Sequence, residues 1–382
     1  MTVTTALNVP ELLEKASAKT GLSDFGDDWF REPLDVLVGS LNTEAALSPL
    51  GFELTKHRLT ALLADRLRLR SLQRANPSVL DVEVRVAAEI CGLPRTGSTL
   101  LHRLLAASPQ VTSTLSWEVA YPLPFPGEGP DAELRKRRAQ ERMQMFSQLS
   151  PDFGDLHTVV WDGPEEDVIL LDRTFVSMSF DSFYWVPAYG DWLRSADQRP
   201  AYRELREWLQ VLQWQNPGRD RPWVLKSPHH LTAVDTVLSE FAGCKIVMTH
   251  RSPVNAVPSY ASMVRTMSSQ YSENVDPVRI GQYWSRRFAR TLQDFAAARA
   301  ERPDRFVDVR FADTVSKPLE VARQVLDALD LPAGPADDAA FEAYLEQNRT
   351  ERHGSHSYAP SDFGLSEDQL QRDFAFYSEV YL

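Results

Sequence analysis

Two regimes of hydrophobic patterning divide the chain. Through about residue 80, leucines recur at helical spacing between charges, as in "TEAALSPLGFELTKHRLTALLADRLRLRSLQRA", and no strand-like run interrupts them. This stretch is expected to be helical. From about residue 84 the pattern becomes short apolar runs that end in polar turns, each followed by a helical stretch. That alternation predicts strand–helix–strand units and an α/β fold with a central parallel sheet flanked by helices. The four best strands are "VRVAAEICGL", "PWVLKSP", "CKIVMTHR" and "DRFVDVRF". Between the first two, roughly 127–215, lies a mainly helical insert rich in Trp, Phe and Tyr and broken by Pro and Gly. The expected organisation is a helical N-terminal extension over 1–83, packed on a main domain over 84–382. In an open parallel sheet, ligands gather beyond the carboxyl ends of the strands. The residues that immediately follow each strand are therefore where chemistry should be sought.

The first strand runs into "CGLPRTGSTLLHRLL", residues 91–105. Gly92 and Gly97 are separated by four residues, as in a phosphate-binding loop, and Ser98 and Thr99 open the following helix. Gly97 permits a tight turn, and the amides of Thr96, Gly97, Ser98 and Thr99 can point inward. The helix N-terminus adds about half a positive charge. A kinase or nucleotidase places Lys directly after the second Gly, to reach the β- and γ-phosphates, and then Ser or Thr to hold magnesium. Here Ser98 takes the lysine position, and Arg95 supplies the charge from within the loop. Taken alone, the pattern also fits a glycine turn that carries an incidental arginine.

A second anion site is readable in "CKIVMTHRSPVNAVPSYASM", which places Arg251 at a strand end and Ser259 eight residues later, past a turn into a helix. A forked guanidinium plus a hydroxyl suits a doubly charged phosphate. With these residues in this order, "GLPRTGSTLL" and the Arg251–Ser259 spacing resemble the motifs of sulfotransferases that use 3′-phosphoadenosine 5′-phosphosulfate, especially the bacterial and tyrosylprotein branches. The resemblance covers roughly residues 85–382 and implies a P-loop NTPase-like sulfotransferase fold. It implies that Arg95 and the loop bind the 5′-phosphosulfate, and that Arg251 and Ser259 bind the 3′-phosphate. It further implies that the nucleotide is a co-substrate and that no metal takes part. Near the C-terminus, "NRTERHGSHSYAPSDFGLSEDQL" is similar to the family's Arg-Lys-Gly segment, which closes over the 3′-phosphate. His353 replaces the lysine, so Arg352 and Gly354 carry over; a plain surface loop is the other reading. Pro258 stands where the family often has an aliphatic residue, and a bend in the first helical turn is expected there.

Sulfonyl transfer depends on positioning and charge stabilisation more than on covalent help. A base near the acceptor hydroxyl is useful, and a cation should meet the charge that develops on the leaving oxygen. Following the resemblance, "STLSWEVAYPLP" places Glu118 where some members carry a catalytic glutamate, which makes it the preferred base. "VLKSPHHL" is similar to the Lys-Thr-His of the cytosolic branch: Lys226 becomes the sulfonate-contacting lysine and His229 the second candidate base, with Pro228 intervening. A lysine that ends the strand "WVLK" is costly in a buried sheet unless an anion meets it. "GPEEDVILL" holds Glu166 as a reserve base, although a helix N-terminus with favourable charge explains that stretch adequately. No His/Cys/Asp cluster shows metal-ligand spacing, and no Ser-His-Asp arrangement is evident.

Charge and composition narrow the partners. With 41 Lys+Arg against 53 Asp+Glu, the net charge of −12 argues against a general nucleic-acid binder, so an anion needs a local site. Cys91 and Cys244 fall in apolar runs and are expected to be buried free thiols of a reduced compartment. The N-terminus lacks the features of a signal peptide and no segment stays apolar long enough to span a bilayer, so a soluble cytoplasmic protein is expected. The expected activity is transfer of a sulfonate group from 3′-phosphoadenosine 5′-phosphosulfate to an acceptor hydroxyl, with release of adenosine 3′,5′-bisphosphate. The aromatic stretch "SFDSFYWVPAYGDWL" suits a bulky apolar acceptor such as a lipid or polycyclic alcohol, and ordinary core packing explains it equally well. The N-terminal helices are assigned to the acceptor pocket or to a homo-oligomer contact. A P-loop kinase or nucleotidase is the alternative enzyme class. A non-catalytic adenosine-bisphosphate binding protein is a third reading that stays open.

Overall fold

A computed structural model describes residues 6–129, 131–149, 160–216, 218–348 and 359–382. Four strands, β1 (Val86–Gly92), β2 (Trp223–Lys226), β3 (Lys245–His250) and β4 (Phe306–Arg310), form one sheet in the order β2–β1–β3–β4. All three pairings are parallel, and Ile90 lies opposite both Lys226 and Val247. Each strand falls within one of the four apolar runs. A parallel sheet is covered on both faces, so β1, β2 and β3 are buried almost throughout, while the edge strand β4 carries the exposed Asp308 and Arg310.

Side-chain alternation sorts the strand residues between two helical layers. Ala88, Ile90, Val224 and Val247 pack with Leu101, Leu104 and Leu105 of the helix Ser98–Ala106 and with Val321 and Val325 of the helix Pro318–Ala328. Cys91, Trp223, Leu225, Ile246 and Met248 belong to the larger core on the opposite face. That core also holds Leu12, Phe30, Leu34, Leu59, Leu63 and Leu67 from the N-terminal helices Val9–Thr20, Arg31–Thr43 and Pro49–Ala75 and the turn between the first two. Asn8 caps the first of these by accepting from the Glu11 amide at 3.0 Å, and Ser48 caps the third by accepting from Gly51 at 3.0 Å. Arg66, fully buried, pairs with Glu204 of the helix Arg199–Trp214 and lies 4.2 Å from the Phe30 ring centroid. Removing one partner of such a pair costs about 3–5 kcal/mol, so it fastens the N-terminal helices to the insert.

The insert between β1 and β2 uses its aromatic residues mainly as core. Phe180, Tyr184 and Tyr189 of the aromatic stretch are buried, which accounts for its composition without an acceptor. Pro258 sits in the second turn of the helix Pro253–Ser268, not the first, because Pro253 already occupies the start, where proline's fixed φ suits the helix. Cys91 and Cys244 are buried free thiols, and burial pushes both up. Among the described residues no helix is long and apolar enough to cross a membrane.

The chain leaves β1 for β2 on one side, then crosses to β3 and β4 on the other. β1 therefore stands at the reversal of strand order, where open α/β sheets leave a crevice beyond the carboxyl ends of the strands.

Candidate functional site

Three loops converge beyond the ends of β1, β2 and β3. At the end of β1, Gly92 has φ 152°, and a Cβ there would lie 2.6 Å from the Thr249 carbonyl oxygen. The chain then turns through left-handed backbone at Arg95 (φ 71°) and Gly97 (φ 82°) into the helix Ser98–Ala106. A Cβ on Gly97 would lie 2.8 Å from the Phe311 ring, so glycine is required there by both backbone and space. Left-handed backbone on a residue with a side chain costs about 1–3 kcal/mol, and Arg95 carries that strain. Thr96 donates from its hydroxyl to the Leu93 carbonyl at 2.7 Å and meets Thr249 Oγ1 at 2.6 Å. Its side chain holds the loop.

The first amides of a helix have no acceptor within it, so those of Ser98 and Thr99 stay available to an anion. Arg95 Nε donates to Ser259 Oγ at 3.3 Å, and Arg251 Nη1 donates to the Arg95 carbonyl at 2.6 Å. Arg251 also lies 4.3 Å from the centroid of Phe311, the residue that follows β4. The two anion motifs read from sequence thus form one continuous cradle.

Lys226 ends β2 with its side chain 2% exposed. Its ammonium donates to Thr99 Oγ1 at 3.3 Å and to Glu166 Oε1 at 2.5 Å. Glu166 keeps 22% of its side chain exposed, and its amide donates to Glu165 Oε1 at 2.8 Å. The reserve carboxylate is therefore the one in contact with the lysine. Glu118 is buried, with Oε2 accepting from the Leu115 amide at 3.0 Å and Oε1 accepting from Arg219 Nη1 at 2.6 Å. Both of its oxygens serve local structure.

His229 is fully buried and accepts from the Met178 amide on Nδ1 at 3.2 Å, which leaves the ring proton on Nε2. Burial first, then the neighbouring His230, push its pKa well below the usual range, so the ring is neutral. His230, the next residue, is equally buried. Its Nε2 is 3.0 Å from Asp167 and 3.1 Å from Glu89, and its Nδ1 is 2.6 Å from the Tyr202 hydroxyl. Burial opposes charge on His230, yet Asp167 and Glu89 outweigh it and push the pKa up to about 9. Burial pushes Glu89 well above the carboxylate range. The ligand atoms of Glu89, Asp167 and His230 lie within 4.8 Å of one another. This grouping is invisible to sequence spacing: His230 hydrogen-bonds Asp167 and so holds it beside Glu166, while neither Glu89 oxygen has a hydrogen-bond partner among the described residues.

Three further residues escaped the sequence reading. His102, on the helix that follows the loop, is buried with Nε2 3.2 Å from Ser113 Oγ. Burial, followed by the Lys226 charge, pushes it to about 3, so it stays neutral and Lys226 is the cation there. Phe311 could have been found, since it immediately follows a strand. Arg219 carried no local signal, because its partners Thr112 and Glu118 are distant in sequence. Arg352, His353 and Gly354 lie outside the described residues.

The site thus offers two arginines, a lysine, three hydroxyls and a carboxylate around a helix N-terminus. It can hold an anion with two charged ends and take up a proton near one of them. A family model described as the sulfotransferase family matches residues 89–335. Among solved structures, the chain is similar to sulfotransferase STF1 from Mycobacterium tuberculosis H37Rv, with 29% identity, 97% of this chain and 99% of that chain covered, and a TM-score of 0.86. It is also similar to sulfotransferase STF9 from Mycobacterium avium, with 25% identity, 100% and 98% coverage, and a TM-score of 0.86. No curated protein matches the chain.

Proposed function

Since the chain belongs to the sulfotransferase family, we propose that it transfers a sulfonate group from 3′-phosphoadenosine 5′-phosphosulfate to a hydroxyl of a small-molecule acceptor and releases adenosine 3′,5′-bisphosphate. The observation that carries this reading is the shape of the cradle. Arg251 and Ser259 both join Arg95 on one side of the loop, and Lys226 meets Thr99 with Glu166 beside it. A donor with a 3′-phosphate and a 5′-phosphosulfate presents anions to both parts. A nucleoside triphosphate would call for a lysine at position 98 and a magnesium-holding carboxylate at the end of β3, where Ser98 and His250 stand. The reaction is proposed to run without a metal.

In this reading, Arg95, Arg251 and Ser259 bind and orient the nucleotide, and the amides of Gly97, Ser98 and Thr99 receive the 5′-phosphate. Glu166 takes the proton from the acceptor hydroxyl as its oxygen bonds to sulfur. The bond from sulfur to the bridging oxygen breaks, and Lys226 meets the charge left on the departing phosphate. A protein that only bound adenosine bisphosphate would have no use for a carboxylate and a buried lysine held against the cradle.

The assignment of Arg251 is open to direct test. Arg251→Ala is expected to weaken adenosine 3′,5′-bisphosphate by about ten- to a hundredfold, the worth of one charge-assisted pair. Adenosine 5′-monophosphate, which lacks the 3′-phosphate, should change only a few-fold. Calorimetric titration of both ligands against both proteins decides, and equal losses would remove Arg251 from the 3′-phosphate.

A further inference from the structure

Positive charge is concentrated a second time, away from the cradle, in a cleft between the helices Pro187–Ser195 and Pro277–Glu301. The cleft has a volume of about 420 Å³; Arg194, Arg279, Arg286, Arg287 and Arg290 line it together with Trp185 and a single carboxylate, Asp191. Positions 279, 283, 286, 287 and 290 follow helical spacing, so they share one face of the longer helix. Like charges so placed repel one another. In a chain with net charge −12 this cluster is not a sample of the general surface.

Two of the five arginines are committed. Arg287 is buried and pairs with Asp181, while Arg194 lies 3.7 Å from Asp294. Arg279 lies 4.7 Å from the ring centroid of Trp185. Among the described residues, no carboxylate forms an ion pair with the exposed Arg279, Arg286 or Arg290. The floor is closely packed: a Cβ on Gly190 would fall 2.5 Å from Asp181 Oδ2, so only glycine lets the shorter helix approach the Asp181–Arg287–Tyr283 network. The ring of Tyr283 stands edge-on to Trp185, with centroids 5.6 Å apart.

We infer that this cleft is a second anion site, for a ligand that bears adjacent oxyanion groups such as phosphate or sulfate esters. Every basic lining residue is an arginine, whose planar fork binds such groups in pairs of hydrogen bonds, where lysine offers a point charge. The volume lies within the range of small-molecule sites, about 300–1,000 Å³. Trp185 and Tyr283 provide an aromatic wall for the rest of the ligand. None of this depends on the sulfonate-transfer reading, since no residue of the cleft belongs to the cradle.

The test uses the full chain with inorganic pyrophosphate as the probe, in calorimetric titration of wild type, R286Q/R290Q and R251A. The wild type should show a pyrophosphate site that R251A keeps and that R286Q/R290Q weakens by at least about tenfold. Both substituted arginines are exposed, so the fold should be kept, and R286Q/R290Q should titrate adenosine 3′,5′-bisphosphate as the wild type does. Failure of that nucleotide to bind either protein would sink the proposed function and leave the pyrophosphate comparison standing. Co-sedimentation with phosphatidylglycerol vesicles, against phosphatidylcholine, separates the sources. Vesicle binding that R286Q/R290Q abolishes supports the site with a lipid headgroup as ligand, and pyrophosphate binding without vesicle binding supports it with a soluble one. The inference is overturned if R286Q/R290Q matches the wild type with both probes, or if the wild type binds neither.

Discussion

Lys226→Met is expected to lower the turnover of sulfonate transfer by about a hundred- to a thousandfold, the loss typical when one group that stabilises developing charge is removed. Methionine keeps much of the volume of a side chain that is only 2% exposed, so the change isolates the charge. Lys226 is the cation that meets Thr99 at the loop, and His102 beside it is held neutral. Neither Arg95 nor Arg251 replaces it, because each is engaged on the other side of the loop. Binding of adenosine 3′,5′-bisphosphate should fall far less than turnover, since the charge on the bridging oxygen develops only during transfer. Steady-state rates with labelled donor, set beside calorimetric affinities, check the split. A variant within tenfold of wild-type turnover would take Lys226 out of the chemistry.

The second large effect separates the two carboxylates. Glu166→Gln is expected to reduce turnover by about 10²–10⁴-fold, the range for loss of a general base, and to lower thermal stability as well, because the buried Lys226 loses its carboxylate partner. Glu118→Gln should cost stability alone. It removes the charge that Arg219 meets in a buried setting, so thermal stability falls while turnover per folded molecule stays near wild type. Melting curves and rates on the same preparations test both halves. If Glu118→Gln abolishes turnover in a folded protein and Glu166→Gln does not, the base is Glu118.

These residues show what was legible in the sequence. The strands were readable because strands covered on both faces are mostly apolar, and the loop and the Arg251–Ser259 spacing were readable because each runs without a break from a strand end into the helix that follows. The choice between Glu118 and Glu166 was not. It turns on Arg219, which is distant in sequence and occupies one oxygen of Glu118, and on Lys226, which reaches Glu166 across the crevice. The joining of Arg95 to Ser259 and the gathering of Glu89, Asp167 and His230 are likewise products of tertiary packing. The arginine face of the helix Pro277–Glu301 was present as a helical period, and the acidic balance of the whole chain masked it. A net charge reports the sum and hides the local field.

The most direct measurement is calorimetric titration of the full chain with adenosine 3′,5′-bisphosphate, with and without magnesium, against ATP under the same conditions. Tight binding that magnesium does not alter and that ATP does not match is the predicted result. A preference for magnesium-ATP would contradict the account and return the cradle to the phosphoryl-transfer enzymes.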